Sequence, residues 1–170
     1  MHAGDLAARQ GDGLMFRGFV IEDNAPVRAA LVEGLAELAG VTTVGYAGDE
    51  KTAVAWLTNP ANDWDIAIVD LHLGTGGSGY GVLQVLARRQ PHQRVVVWTA
   101  TADPLEKSKC LVLGVDRVFD RALENSQLME YCMEQSVAQA RAANASGRFP
   151  PHRAAASAQR GSIAAALFGA

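Results

Sequence analysis

The sequence predicts an α/β protein built as a doubly wound sheet of five parallel strands, a (βα)5 arrangement. Three observations predict it. Five short apolar segments alternate with five stretches of helical periodicity. The apolar segments are unbroken rather than alternating with polar residues, as in strands covered on both faces. Apolar residues make up 49% of the 170, enough for one domain with a sizeable core.

Phe19, Val20 and Ile21 form a first strand that ends in Glu22-Asp23. Asn24 caps a helix with Pro26 in its first turn; Val27, Leu31, Leu35 and Leu38 recur at helical spacing, and Gly40 closes the run. Val41 to Tyr46 is the second strand. Asp49 caps the helix that carries Val54, Trp56 and Leu57, and Asn59-Pro60 stops it. Asp65 to Asp70 is a continuous apolar third strand, followed by a helix from Gly79 to Arg89 with Val82, Leu83, Val85 and Leu86. Arg94 to Trp98 is the fourth strand, and Pro104 to Leu113 a helix closed by Gly114. Val115 to Phe119 is the fifth strand, and Glu124 to Ala140 the last helix, with Leu128, Met129 and Cys132 for its inner face. Helical crossovers between parallel strands are right-handed, and five strands suit the flavodoxin-like order.

The predicted domain spans residues 18–140. Residues 1–17 lack sustained periodicity and read as a flexible extension. Residues 141–170, rich in Ala, Ser and Arg, have too little apolar surface to offset the entropy of ordering, with 163-IAAALF-168 as the one segment able to dock. A net charge of −3 offers no basic field for nucleic acid. Cys110 and Cys132 lack metal-type spacing and read as buried thiols of a reducing compartment. No basic-then-apolar leader and no run of about 20 apolar residues is present, so a cytoplasmic protein without membrane contact is expected.

In an open parallel sheet, ligands bind beyond the carboxyl ends of the strands. Glu22 and Asp23 stand there after the first strand, Asp70 after the third, Thr99 after the fourth, and Asp120 and Arg121 after the fifth. Each alone is an ordinary turn or cap residue. Jointly they place like charges where helix termini and loops meet. Carboxylates so close raise one another's pKa, a conflict that a divalent cation removes. An oxygen-only set with open positions suits Mg2+. One carboxylate can then serve as a nucleophile toward phosphorus, and Asp70, on the central and most apolar strand, is the candidate. Arg121 would neutralise charge on the transferring group.

The motifs 20-VIEDN-24, 65-DIAIVDLHL-73, 97-VWTA-100 and 114-GVDRVFDR-121 appear in the order found in the receiver domain of two-component response regulators, which this chain resembles over roughly residues 17–140. The resemblance implies a stand-alone, single-domain phosphoprotein. Asp70 would accept a phosphoryl group from a sensor histidine kinase or phosphotransfer protein. Glu22, Asp23 and Asp70 would hold Mg2+, joined by the backbone carbonyl of His72. Thr99 would bond a phosphoryl oxygen and draw the fourth strand and next loop inward. The fourth helix, fifth strand and fifth helix would present the face read by an output protein whose identity is open. Such a regulator turns over nothing beyond its own phosphoryl group.

Three positions depart from the family pattern. Arg121 replaces the usual Lys, and Ala122 follows it where Pro is common; Val118 occupies the aromatic switch position, with Phe119 on the opposite face; Glu22 replaces Asp. These departures keep open a degenerate receiver that binds protein independently of phosphorylation. A second alternative comes from Gly74-x-Gly76-x-x-Gly79, which matches a dinucleotide-cradling spacing. However, Asp70, Leu71, His72 and Leu73 separate it from the strand end, and no ribose-binding acid follows in 94-RVVVWTAT-101. The glycines read better as a tight loop beside Asp70.

Overall fold

The computed structural model describes residues 15–146; the expectations for residues 1–14 and 147–170, including 163-IAAALF-168, lie outside them. The elements alternate as β1 (Phe16–Ile21), α1 (Ala25–Ala39), β2 (Val41–Ala47), α2 (Glu50–Leu57), β3 (Ile66–Val69), α3 (Gly79–Leu86), β4 (Arg94–Thr99), α4 (Pro104–Val112), β5 (Arg117–Asp120) and α5 (Asn125–Ala145). All strand pairs are parallel, in the order β2-β1-β3-β4-β5. This is the doubly wound, flavodoxin-like sheet that the sequence predicts.

The sheet separates two apolar layers, as strict side-chain alternation requires. Phe19, Ile21, Ala67, Val69, Val95 and Val97 face the layer under α2, α3 and α4. Val20, Ile66, Ile68, Val96, Trp98 and Phe119 face the layer under α1 and α5. Burying each such side chain contributes about 1.5–3 kcal/mol against the cost of ordering the chain. The helix starts use the expected chemistry. Asn24 accepts from the Val27 N–H, Asp49 from Thr52 and Asp103 from Leu105 and Glu106. Gly40 closes α1 with φ +64° and donates its N–H to the Leu35 carbonyl.

Several features differ from the sequence expectation, among them α3, which stops at Leu86, and β5, which covers Arg117–Asp120. β1 begins at Phe16, inside the stretch read as an extension: Phe16 pairs with Val41 and is buried, and Arg17 binds Asp65. α5 runs on to Ala145, past the expected end at Ala140. Leu38 is 65% exposed and Ala39 is buried instead, because the inward stripe drifts by one position over α1's last turn. β2 alternates buried and exposed residues, since it lies at the sheet edge.

Candidate functional site

The strand register assembles the site. Ile21 pairs with Val69 and Val69 with Val97, so the next residues, Glu22, Asp70 and Trp98, form a row across three strands. Backbone bonds extend the ladder past the last paired residues: the Asp70 N–H donates to the Ile21 carbonyl at 2.9 Å, and Arg121 N–H to the Thr99 carbonyl at 2.8 Å. Two residues beyond Val20, Ile68 and Val96, the row points toward the α1/α5 side. Arg121, two residues beyond Phe119, points the same way.

Four of the expected residues meet there. Carboxylate oxygens of Glu22, Asp23 and Asp70 all lie within 4.8 Å of one another. Glu22 is 1% exposed and Asp70 5%, whereas Asp23 is open to solvent. The Arg121 guanidinium bridges the buried pair: Nη2 donates to Glu22 Oε2 at 2.5 Å and to Asp70 Oδ2 at 2.8 Å. Glu22 Oε1 accepts the Asn24 N–H at 2.9 Å, and Asp70 Oδ1 the His72 N–H at 3.3 Å. Burial raises the Glu22 carboxyl above its ordinary range; Asp70's charge pushes the same way, while the Asn24 N–H and Arg121 oppose it. Thr99 is fully buried, and its Oγ1 lies 3.4 Å from His72 Nδ1, so the exposed His72 ring stands beside the hydroxyl. Asp120 turns away and accepts from the Ala122 and Leu123 N–H groups, shaping the turn into α5.

An oxygen donor set of this density fits a hard divalent cation, and the bridging guanidinium shows that positive charge is stable between Glu22 and Asp70. Val118 lies half-buried on the α2/α3/α4 side and Phe119 is buried on the other, as strand alternation predicts.

The glycine loop has a packing role. A Cβ on Gly79 would lie 2.1 Å from the Asp70 carbonyl oxygen, and one on Gly76 would lie 2.9 Å from Asp49 Cβ. Gly77, at φ +100°, and Gly81 leave room for the Glu50 side chain, whose Oε2 accepts the Ser78 N–H at 2.9 Å. The loop thus closes around a carboxylate, which repels a pyrophosphate.

The sequence reading missed two contributors. Trp98, placed by the sequence only in the fourth strand, lies under Arg121 with the guanidinium carbon 4.4 Å from its ring centroid. Glu50, which the sequence did not single out, accepts the Ser78 N–H and organises the glycine loop. Position in the strand could have identified Trp98, which lies one residue before the end of β4 on the same side as Asp70; no local signal marks Glu50.

The family profile of the response regulator receiver domain matches residues 19–132. No curated protein matches the chain. Among solved structures, a response regulator protein from Burkholderia pseudomallei with a phosphorylated aspartic acid, calcium ion and citrate is 25% identical, with a TM-score of 0.59 over 76% of this chain and 74% of that one. A CheY-like receiver domain protein from Methanospirillum hungatei has a TM-score of 0.63 at 18% identity, covering 75% of this chain and 98% of that one. The CheX-CheY complex with beryllofluoride and magnesium from Borrelia burgdorferi has a TM-score of 0.62 at 18% identity, over 70% and 87%. With more than half of its length matched by the family profile and the family's sheet order in place, this chain belongs to the response regulator receiver domains of two-component signalling.

Proposed function

We propose that Asp70 accepts a phosphoryl group from a phosphohistidine on a sensor histidine kinase or phosphotransfer protein, and that the modified domain presents an altered protein-binding face. The convergence of Glu22, Asp23 and Asp70 within 4.8 Å, with Arg121 bridging Glu22 and Asp70, carries this reading. An Asp70 carboxylate oxygen attacks phosphorus. The O–P bond forms as the P–N bond to the donor imidazole breaks, and the electron pair returns to the ring nitrogen. Glu22, Asp23, Asp70 and the His72 carbonyl would hold Mg2+, which when bound supplies positive charge to the phosphoryl oxygens. Arg121 holds the Asp70 carboxylate in place and offers further N–H donors to the incoming group. The Thr99 hydroxyl, at the strand end, donates to a phosphoryl oxygen. Exposed Leu105, Leu111 and Val112 on α4, with Leu123 in the turn before α5, support protein contact on the α4-β5-α5 side.

The test is incubation with a small phosphodonor and Mg2+, followed by intact mass measurement. Wild type gains one phosphoryl group and Asp70→Asn gains none. An unmodified wild type whose amide spectrum also ignores beryllofluoride would overturn the acceptor reading and favour a phosphorylation-independent binding module.

A further inference from the structure

The Arg121 guanidinium is held through Nη2 and through its flat face. Nη2 joins Glu22 and Asp70, and the flat face lies 4.4 Å over the centroid of the Trp98 ring. The third feature is negative: Nε is buried with no hydrogen-bond partner. A buried donor without a partner costs free energy, and a phosphoryl oxygen would offer this one an acceptor. The indole beneath is itself fixed. It is 6% exposed and donates Nε1–H to Asn125 Oδ1, on the first residue of α5, at 2.7 Å.

Arginine needs this support more than lysine does. Its planar fork recognises two oxygens only in one orientation, and an aromatic face sets that plane. We propose that Trp98 is a positioning residue for phosphoryl transfer: its indole is the plate that holds Arg121 edge-on to Asp70, with Nε–H kept free for a phosphoryl oxygen. The proposal rests on Asp70 being the acceptor. Trp98 touches no reacting atom and acts through Arg121 alone. The same indole joins Arg121 to the N-terminus of α5 through Asn125, so a change of guanidinium plane is felt on the partner-reading side. That route runs on the face opposite Val118, where the aromatic coupling of the family is missing.

Two measurements test this. The first is the rate of phosphoryl uptake from a small phosphodonor with Mg2+, for Trp98→Leu and Trp98→Phe in wild-type and Arg121→Ala backgrounds. Trp98→Leu should slow uptake roughly three- to thirtyfold, the range a stacked cation is worth, and Trp98→Phe should stay within about twofold. In the Arg121→Ala background Trp98→Leu should add nothing. Equal slowing in both backgrounds would assign Trp98 a merely structural role and overturn the proposal, as would no slowing in the wild-type background. The second is the side-chain Nε–H resonance of Arg121 in the unphosphorylated protein. It should be ring-current shifted and slow to exchange in wild type and Trp98→Phe, and should move to the position of an exposed arginine in Trp98→Leu. An exposed-arginine signal in wild type would overturn the placement. If wild type takes up no phosphoryl group, the acceptor reading falls by itself, and the resonance still decides where Trp98 holds Arg121.

Discussion

The two edges of the sheet treat their acids differently. At the edge where the strands begin, Asp63, Asp65 and Asp116 meet three arginines. Asp65 accepts from the Arg17 backbone N–H at 2.7 Å and from its Nε at 3.1 Å, and Arg17 also pairs with Asp63. Asp116 accepts from Arg89 Nη2 at 2.9 Å and from the Val95 N–H at 2.7 Å, with Arg94 3.7 Å away. At the edge where the strands end, Glu22 and Asp70 share the Arg121 guanidinium, and Asp23 makes no ion pair among the described residues. Buried carboxylates are tolerable at both edges, but only the second leaves negative charge that an incoming cation would neutralise. On the proposed reading, compensated charge tethers strands and uncompensated charge takes up a cation.

The sharpest way to break this comparison is to exchange the outcomes of two substitutions. Asp70→Asn should abolish phosphoryl uptake in the mass assay yet leave stability within about 1 kcal/mol, since it removes one of three like charges. Asp65→Ala should do the reverse. It should cost about 1–3 kcal/mol in urea denaturation, by stripping two N–H groups of their acceptor, and should leave uptake per folded molecule unchanged. Loss of uptake in Asp65→Ala at full folding would erase the distinction between the edges.

A smaller effect concerns the single shared cation. Arg121→Ala should tighten Mg2+ binding about tenfold in calorimetric titration, because the guanidinium occupies Glu22 Oε2 and Asp70 Oδ2. The same variant should phosphorylate more slowly. Unchanged affinity would mean that the guanidinium and the metal do not compete.

The smallest effect is a reference point away from both edges. Burial pushes the Cys132 thiol on α5 up to about 12 from its ordinary 9.0. A raised folded value favours the neutral thiol in the fold. The resulting stability is complete below about pH 9 and fades as pH rises toward about 12. Thermal melts of Cys132→Ala should therefore fall less steeply across that window than those of wild type; parallel curves would refute the assignment.

Much of the site was legible before any fold. The acids at the ends of the first and third strands, Thr99 and Arg121 were all marked by where an apolar run stops, because a parallel sheet aligns its strand ends. Trp98 was not legible as part of the site, since an apolar strand residue looks the same whether it fills a core or supports a guanidinium. The glycine loop invited a nucleotide reading because spacing does not reveal what lies against a missing Cβ. Here that neighbour is Glu50, 31 residues before Gly81, and the Asp70 carbonyl beside Gly79.

The sequence by itself determined the alternation of elements, the capped helix starts, the unbroken apolar strands and the chemical types at each strand end. These follow from local backbone preference and side-chain period, which act within a few residues. Only the tertiary structure decided that Arg121 joins Glu22 across 99 positions, that Trp98 lies beneath it and that Leu38 faces outward. Those outcomes depend on strand register and on competition for a few buried charges, which are settled only when distant segments pack together.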